Sequence, residues 1–461
     1  MHPAPLLIRG GSVLRGGSAS PADILCLGGR IAAIGPRLQA PRGARVLEAA
    51  GLLVLPGAID AHVHYRLKLG PRSWNDDTFS TGSAAALLGG VTTVIDYTGQ
   101  GRGVPLRKGL DDRLAEADGR MHCDYAFHCV VPSWSALRDP AGQIARLVKD
   151  GAPTFKFFSA YASRGLMTEG VELRAALEAS RRTGALVCLH AENGPVIDLL
   201  SAKPPRAPGA HALALTRPPA TEWSAAAAAA GWTLHTGGEL YLVHVSHAFT
   251  AGIAARARKD GARIYVETCP QYLALDDRLL RRRDGHLYSC CPPLRDKASA
   301  ADLWRAAADG SADLIATDSC AFTRARKDAW GGDLRKLPMG LPGTATLLPL
   351  VYTLGVKTGR IPLARMAELL CENPARIMGL YPRKGVIRPG SDADFAIIEP
   401  ELPRAVDWRD LGHASDYSPY QGMKLYGFPR HTVLRGKVVM SEGKLLSPAR
   451  PGGEYIGRYR G

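Results

Sequence analysis

Apolar residues follow two different patterns along this chain. Near both ends, short apolar runs alternate with polar positions and Gly-rich turns, as in LLIRGGSVL and ADILCLGGRIAAIG at the start and HTVLRGKVVMSEGKLL near the C terminus. Such period-two alternation, bounded by glycine, is typical of hairpins in an antiparallel sheet. We therefore predict one small β-sandwich domain built from both termini, residues 1–56 and 381–461.

The central part of the chain has continuous apolar runs separated by Ala- and Leu-rich helical stretches. Continuous apolar strands are typical of a parallel sheet that is buried on both faces. Eight βα units in residues 57–380 predict an α/β domain, a (β/α)8 TIM barrel with insertions, with a doubly wound open sheet as the alternative. The predicted strands cover residues 57–62, 91–97, 124–131, 154–159, 185–190, 240–246, 263–268 and 313–318.

Composition is that of a globular protein, with 46% hydrophobic and 22% charged residues in 461. The chain lacks an apolar stretch of about 18 residues, and its opening lacks the pattern of a secretory signal, so we expect no membrane partner. Nine cysteines without dense regular spacing predict reduced thiols and a cytoplasmic location. Cys290 and Cys291 have no CxxC partner and are interpreted as packing residues.

The net charge of +15 raises the question of nucleic-acid binding. The densest basic clusters, Arg281–Arg283 and Arg324–Lys327, are short, far apart and not interleaved with aromatic residues. We therefore expect no nucleic-acid partner and a mostly solvated basic surface, with an anionic substrate as a minor contributor.

Metal-ligating residue types occur at the ends of several predicted strands, where the active site of a TIM barrel lies. The two imidazoles of the HVH motif point the same way in an extended segment and suit one ion. Histidines with a carboxylate favour zinc or another divalent first-row ion, and the number of ligands favours two ions. These residues are His62, His64, His190, His244 and Asp318.

A lysine, Lys156, lies in the fourth predicted strand. An ammonium group repels cations and has no lone pair to donate. Lys156 must therefore be deprotonated, modified or only close to the metals, and the spacing of residues leaves these alternatives open.

The chain resembles the cyclic amidohydrolases of the hydantoinase and dihydropyrimidinase family nearly end to end. The segments that carry the resemblance are PGAIDAHVH, DDTFSTGSAAALLGGVTTVIDY, FKFFSAY, LHAEN, HALALTRPPA, LVHVS, ETCPQYL, CPPLRDK, ATDS, ENPARIMGLYPRKGVIRPGSDADFAI, DYSPYQGMKLYGFPRHTVLRGKVV and GRYRG.

This resemblance implies two Zn²⁺ ions per subunit, bridged by hydroxide and by a lysine carboxylated on its side-chain nitrogen, N6-carboxylated Lys156. It also implies that Tyr161 hydrogen-bonds the substrate carbonyl and that the protein is a homotetramer. The implied ligands are His62, His64, Lys156 and Asp318 for one zinc, and Lys156, His190 and His244 for the other.

The implied reaction is hydrolysis of a hydantoin or dihydropyrimidine ring to an N-carbamoyl amino acid. Two zinc ions lower the pKa of a bridging water from about 15.7 to about 7, and the resulting hydroxide attacks the ring amide. Tyr161 and one zinc would stabilise the oxyanion, while catalytic Asp318 would move the proton to the leaving nitrogen.

Some positions depart from the family pattern. Changes around a metal ligand typically alter affinity or rate by about 10- to 100-fold. Cys291 and Met339 fall at substrate-binding positions where the family acts largely through backbone groups, so binding there is expected to survive. The remaining departures are Ser319, Ala321 and Thr323 in DSCAFT, and Ala345 and Leu347 in GTATLL.

Arg66, in HVHYR, is a further candidate for substrate binding. Dihydroorotases and allantoinases often carry this arginine, which in dihydroorotases grips a substrate carboxylate. It suggests a ring with an anionic or strongly polar substituent, and makes an allantoinase- or dihydroorotase-like hydrolase the alternative function. The alternative for Arg66 itself is an exposed or structurally paired arginine. IDYTG and DYSPYQGMKLYG favour the hydantoinase type. A non-catalytic scaffold, known among relatives without metal ligands, is a second alternative that metal content would distinguish.

Overall fold

The computed structural model describes residues 3–70, 73–446 and 451–460. The strands are β1 (Leu6–Arg15), β2 (Ser18–Leu27), β3 (Arg30–Gly35), β4 (Arg45–Glu48), β5 (Leu53–Pro56), β6 (Ala58–Asp60), β7 (Lys68–Gly70), β8 (Ser73–Trp74), β9 (Val91–Tyr97), β10 (Asp124–Val130), β11 (Thr154–Phe158), β12 (Leu186–His190), β13 (Glu239–Leu242), β14 (Arg263–Thr268), β15 (Leu314–Ile315), β16 (Phe395–Ile398), β17 (Arg404–Ala405), β18 (Lys424–Leu425), β19 (Pro429–Leu434), β20 (Lys437–Ser441) and β21 (Lys444–Leu445).

Helices alternate with the central strands along the chain and pack against them. They are α1 (Phe79–Leu88), α2 (Leu106–Ala117), α3 (Pro140–Lys149), α4 (Gly170–Thr183), α5 (Gly194–Ala202), α6 (Ala212–Thr216), α7 (Pro219–Thr236), α8 (Ala248–Lys259), α9 (Pro270–Ala274), α10 (Lys297–Asp309), α11 (Arg324–Asp328), α12 (Leu347–Val351), α13 (Leu363–Ala367) and α14 (Asn373–Met378). Within the described ranges, none of them combines the length and apolar character needed to span a membrane.

Eight parallel strands form the barrel, in the order β6, β9, β10, β11, β12, β13, β14 and β15. A parallel bridge between Val63 and Ser319 joins the first strand region to the last, and the backbone N–H of His64 donates to the Ser319 carbonyl at 2.8 Å. The TIM-barrel prediction is therefore confirmed, and the open-sheet alternative is wrong. Each of the eight predicted strand regions overlaps one of these strands.

Helix α4 illustrates how the sequence forms the connections between barrel strands. Leu173, Ala176 and Leu177 lie on one face of the helix and are buried. The helix ends at Gly184, whose φ of 73° is in the left-handed region that glycine adopts without a steric cost. The chain then enters β12, whose last residue is the predicted metal ligand His190.

Both ends of the chain contribute to a second sheet, in the order β21, β20, β19, β16, β5, β1, β2 and β3, with β4 beside β1. In β5, Val54 packs with Phe395 in a core belonging to this sheet, whereas Leu53 and Leu55 join the core that includes the barrel helices. Successive side chains of β5 point to opposite faces of the sheet. One face therefore packs in the sheet's own core, and the other face packs against the barrel. At the junction, a Cβ on Gly57 would clash with the side chain of Thr92.

Residues 451–460 return to the barrel. Tyr455 forms a parallel bridge with Tyr125 of β10. Arg458 is fully buried and donates to the Phe127 carbonyl at 2.5 Å and to Thr154 Oγ1 at 2.8 Å. The division into domains of residues 1–56 with 381–461 and of residues 57–380 stays a prediction, and part of it lies outside the described residues.

Candidate active site

A cleft of about 1420 Å³ opens at the carboxyl ends of the barrel strands. Strands β11 and β12 and the segments after β6, β13 and β15 deliver side chains to it, because carboxyl ends of parallel strands share one edge. The structure brings nine of the predicted site residues to its wall: His62, His64, Lys156, Tyr161, His190, His244, Cys291, Asp318 and Met339.

One group of metal-ligating atoms lies around Asp318. The Nε2 atoms of His62 and His64 are 3.1 Å and 3.0 Å from Asp318 Oδ1. Burial alone would raise the pKa of Asp318, but the charge of His62 and hydrogen bonds from both rings hold it well below the usual range. The carboxylate is therefore ionised at neutral pH. Asp318 has a φ of 52°, a strained conformation that the surrounding loop imposes.

Glu267, the second-last residue of β14, positions this group through its contact with His62. Its Oε1 lies 2.7 Å from His62 Nδ1 and accepts the backbone N–H of His244 at 2.7 Å, while Tyr241 donates to its Oε2. Burial tends to lower the pKa of His62, but Glu267 and Asp318 together raise it to about 9. A carboxylate on Nδ1 turns Nε2 toward the cleft, as is usual behind a metal-bound histidine.

A second group comprises His190 and His244, whose Nδ1 and Nε2 atoms are 2.8 Å apart. Burial lowers the pKa of both rings, so both are neutral and keep a lone pair for a metal. His190 Nε2 lies 2.7 Å from Glu192, which also accepts a hydrogen bond from Arg217. Burial would raise the pKa of Glu192, but Arg217 and His190 lower it to about 2.

Lys156 lies in the middle of β11, beside both groups. Its Nζ is 5.3 Å and 5.1 Å from the ring centroids of Tyr97 and Phe158. Hydrogen bonds and ion pairs of this nitrogen are absent among the described residues, and burial lowers the pKa of Lys156 to about 8. A substantial fraction of the amine is therefore neutral and nucleophilic near physiological pH.

These donors fit divalent metal ions. Buried nitrogens of two rings, His64 Nδ1 and His244 Nδ1, have no hydrogen-bond partner among the described residues. The ligand atoms of His62, His64 and Asp318 lie within 4.8 Å of one another. Imidazoles together with a carboxylate are the ligand types that zinc prefers.

Tyr161 forms the neighbouring wall of the cleft. Its φ of 70° lies in the left-handed region, and its ring centroid is 4.9 Å from that of His190. The guanidinium carbons of Arg164 and Arg217 each lie 5.4 Å from the Tyr161 ring centroid. Burial raises the pKa of Tyr161 well above 10, so its hydroxyl stays protonated and can donate.

Residues 53–439 match the amidohydrolase family. The chain belongs to the amidohydrolase family. This amidohydrolase is 36% identical to a D-hydantoinase of Geobacillus stearothermophilus over 459 residues, which are 98% of this chain and 96% of the relative.

Solved structures agree with the family assignment. The dihydropyrimidinase of Brevibacillus agri NCHU1002 is 32% identical, with a TM-score of 0.94 over 99% of both chains. The L-hydantoinase (dihydropyrimidinase) of Arthrobacter aurescens is 26% identical, with a TM-score of 0.89 over 99% of this amidohydrolase and 100% of the other chain. The predicted resemblance to hydantoinases and dihydropyrimidinases is confirmed.

Cys291 and Met339 lie next to each other in the cleft wall of this amidohydrolase, with 2.7 Å between their sulfur atoms. Arg66 has a different position: it is not part of the wall, and its guanidinium carbon lies 5.1 Å from the Trp74 ring centroid. The structure therefore does not bring Arg66 to the other site residues. Its role in substrate binding stays a prediction.

The loop after Asp318 is held in place through its backbone. The Ala321 carbonyl accepts the Asp76 N–H at 3.0 Å, and the Thr323 N–H donates to the Asp76 carboxylate at 2.6 Å. Ser319 Oγ accepts the Gly343 N–H at 3.1 Å. Ala345 and Leu347 are buried and do not line the cleft.

Three residues of the site were not assigned from the sequence: Glu192, Arg217 and Glu267. Each occurs in a segment that carries the family resemblance, namely LHAEN, TRPPA and ETCPQYL. For Glu267, the position near the end of the predicted strand 263–268 is a sequence signal that could have placed it at this face of the barrel. Its partners, however, lie far away in sequence.

Proposed function

We propose that this amidohydrolase opens a cyclic amide, a hydantoin or dihydropyrimidine ring, to an N-carbamoyl amino acid. The observation that carries the proposal is the convergence of two groups of metal-ligating atoms and one buried lysine at the carboxyl end of the barrel. The hydantoinases and dihydropyrimidinases that the chain resembles over their full length support the same reaction class.

We propose two zinc ions as the cofactors. His62, His64 and Asp318 would hold one, and His190 with His244 would hold the other, with carboxylated Lys156 shared between them. When bound, zinc supplies a Lewis acid and lowers the pKa of a water from about 15.7 to about 7.

Carboxylation would convert Lys156 from a cation into an anionic oxygen ligand. Its neutral amine nitrogen adds to the carbon of CO₂, one proton leaves to solvent, and a carbamate remains. The buried environment that lowers the pKa of Lys156 to about 8 supports this step, because only the neutral amine has a lone pair.

Residues of the chain would have separate roles in the hydrolysis. Tyr161, protonated and adjacent to His190, would donate a hydrogen bond to the carbonyl oxygen under attack. Asp318, ionised at neutral pH, would accept the proton of the attacking water and return it to the ring nitrogen as the C–N bond breaks. Cys291 and Met339 would form the wall against which the ring lies.

The direct test is an assay of ring opening by protein supplied with zinc and bicarbonate. The substrates are hydantoin, 5-phenylhydantoin, dihydrouracil, allantoin and dihydroorotate, with Asp318→Ala as the inactive control. We expect turnover of hydantoin or dihydrouracil that is absent in the control. Turnover of allantoin or dihydroorotate alone would instead favour the alternative hydrolases, and zinc-free inactive protein would favour a scaffold.

Replacing Lys156 tests the bridging role. We expect Lys156→Ala to lose most activity and the second zinc, because a ligand shared by both ions is removed. Propionate should restore part of the activity by supplying a carboxylate, whereas Lys259→Ala, on an exposed lysine of α8, should resemble the wild type. Zinc analysis and initial rates measure these effects. Full activity of Lys156→Ala without propionate would contradict the two-metal proposal.

We also propose a homotetramer in a reducing cytoplasm. All nine cysteines are free thiols, which supports the reducing compartment. The tetramer rests on the resemblance to the family. Mass measurement by light scattering tests it, with a monomer or dimer as the contrary result.

A further inference from the structure

The cleft has a strong excess of positive charge. Nine Lys or Arg side chains line it, compared with three Asp side chains. Such a wall attracts anions and raises their local concentration. The excess is unexpected for a site that takes only neutral rings.

Four of these cations are not free to bind a substrate anion. Lys156 lies beside the metal-ligating groups, and three arginines are paired with nearby carboxylates. These ion pairs are Arg217 with Glu192, Arg326 with Asp76, and Arg335 with Asp333.

Five other cations remain, which we call the free rim: Lys68, Arg102, Arg164, Arg206 and Lys336. All five are exposed, and none has a carboxylate within ion-pair distance among the described residues. Of the acids in the wall, Asp318 belongs to the metal-ligating group and Asp333 pairs with Arg335, which leaves Asp198. The free rim thus has a net charge of about +4 when Asp198 is included.

Arg164 is the member of the free rim that touches the site itself. It ends a short 3₁₀ turn, Ala162–Arg164, directly after Tyr161. Its guanidinium carbon lies 5.4 Å from the Tyr161 ring centroid, and that ring is 4.9 Å from the His190 ring. A substituent projecting from a ring bound beside Tyr161 would therefore be within reach of Arg164.

We propose that the preferred substrates are cyclic amides that carry an anionic substituent, with a carboxylate as the simplest case. Arg164 pairs with the substituent, and the remaining members of the free rim attract the substrate to the cleft. Planar guanidinium groups form strong two-point hydrogen bonds with carboxylates. This specificity rests on the proposed ring-opening activity and assigns to Arg164 the role that the sequence suggested for Arg66.

The test compares two substrates of nearly equal size, 5-(2-carboxyethyl)hydantoin and its amide, 5-(2-carbamoylethyl)hydantoin. We expect the zinc-loaded wild type to have a kcat/KM about tenfold higher for the acid at low salt. This preference should shrink as ionic strength rises to about 0.5 M, because salt screens exposed charges.

Two variants test whether Arg164 causes the preference for the acid. Arg164→Gln should lower the acid-to-amide ratio of kcat/KM toward one, mainly through KM for the acid. Arg182→Gln is the matched control, because Arg182 is exposed near the end of α4 and lies outside the cleft wall. Thermal midpoints of both variants verify that they are folded.

The outcomes separate the two proposals. Equal kcat/KM for acid and amide in the wild type would overturn the specificity while the ring-opening function stands. A preference that survives in Arg164→Gln would overturn the assignment to Arg164. Failure to open either ring or unsubstituted hydantoin would overturn the proposed function, and the specificity with it.

Discussion

Glu267 shows how much of this site depends on one side chain that does not face the substrate. A single oxygen, Oε1, contacts both the ring of His62 and the backbone N–H of His244. These two histidines belong to different groups of metal-ligating atoms. Glu267 therefore couples the positions of the two groups.

We predict that Glu267→Gln weakens zinc binding by about 10- to 100-fold, because the amide removes the charge behind His62 and disturbs both histidines. Zinc titration with a competing chelator measures the effect. The control is Glu178→Gln, which weakens a partly exposed ion pair to Arg174 on helix α4, away from the histidines. Equal zinc affinity in the two variants would contradict this role of Glu267.

Cys291 provides a second test at the residue scale. It is half-buried, whereas the other eight cysteines are buried, and burial raises its pKa to about 11. Alkylation requires the thiolate. We predict that iodoacetamide labels one thiol of the native protein, roughly 100-fold more slowly at pH 7 than an unperturbed cysteine.

Mass spectrometry of the native protein identifies the labelled thiol, with Cys291→Ser as the control that stays unlabelled. The labelling rate should rise with pH toward about 11, because deprotonation increases the thiolate fraction. Fast labelling at pH 7, or labelling of a different cysteine first, would contradict the environment described for Cys291.

At the scale of elements, helix α11 (Arg324–Asp328) organises the part of the cleft wall that contains Cys291 and Met339. The Nζ of its buried Lys327 donates to the Ser289 carbonyl at 3.0 Å, to Ser289 Oγ at 2.7 Å and to the Pro338 carbonyl at 2.8 Å. Ser289 and Pro338 lie in the segments that also carry Cys291 and Met339. Lys327 thus joins helix α11 and these two segments into one wall.

We predict that Lys327→Met lowers the free energy of unfolding by about 1–3 kcal/mol, because buried acceptors lose their donor. The KM for the substrate should rise as the wall loosens. Urea unfolding and steady-state kinetics measure the two effects. Lys297→Met, at the exposed start of α10, is the matched control, and an equal effect there would contradict the role of Lys327.

At the scale of the whole molecule, a buried charge cluster joins the barrel to the second sheet. Lys384 Nζ lies 2.6 Å from Asp124 of β10, and 3.2 Å and 2.5 Å from Asp392 and Asp394 next to β16. Although the three carboxylates have the spacing of a metal site, Lys384 contacts all three, while Arg383 and Arg435 pair with Asp392 and Asp124. The cluster is therefore a contact between the two parts of the molecule.

We predict that Lys384→Met destabilises the fold by about 3–5 kcal/mol at pH 8, because buried carboxylates lose their counter-ion. Burial already raises the pKa of Asp394, and the charge of Lys384 is the main effect that opposes this rise. Without Lys384 the folded state binds more protons than the unfolded state above pH 4, so the variant loses stability as pH rises.

Thermal or urea unfolding at pH 5 and pH 8 measures this dependence, and the destabilisation should be smaller at pH 5. Lys357→Met is the control, because its pair with Glu401 is at the surface and contributes little. A destabilisation that is equal at both pH values would contradict the charge argument.

The sequence by itself determined the barrel, the second sheet and the identity of the metal-ligating candidates. Period and burial are local properties: the run VTTVIDY lacks strict apolar–polar alternation, and all seven of its residues in β9 are buried because both faces of the strand are covered. The ends of the strands can also be predicted from the sequence, and they place His190 and the HVH motif at one edge of the barrel.

Only the tertiary structure decided which residues stand behind and beside these ligands. Glu267 meets His62 across 205 positions of sequence, and the left-handed turn at Tyr161 sets Arg164 beside the cleft. Arg66, next to the HVH motif in sequence, lies over Trp74 instead. The reason is physical: local periodicity encodes burial, whereas the direction of a loop side chain depends on packing between segments that are far apart in the chain.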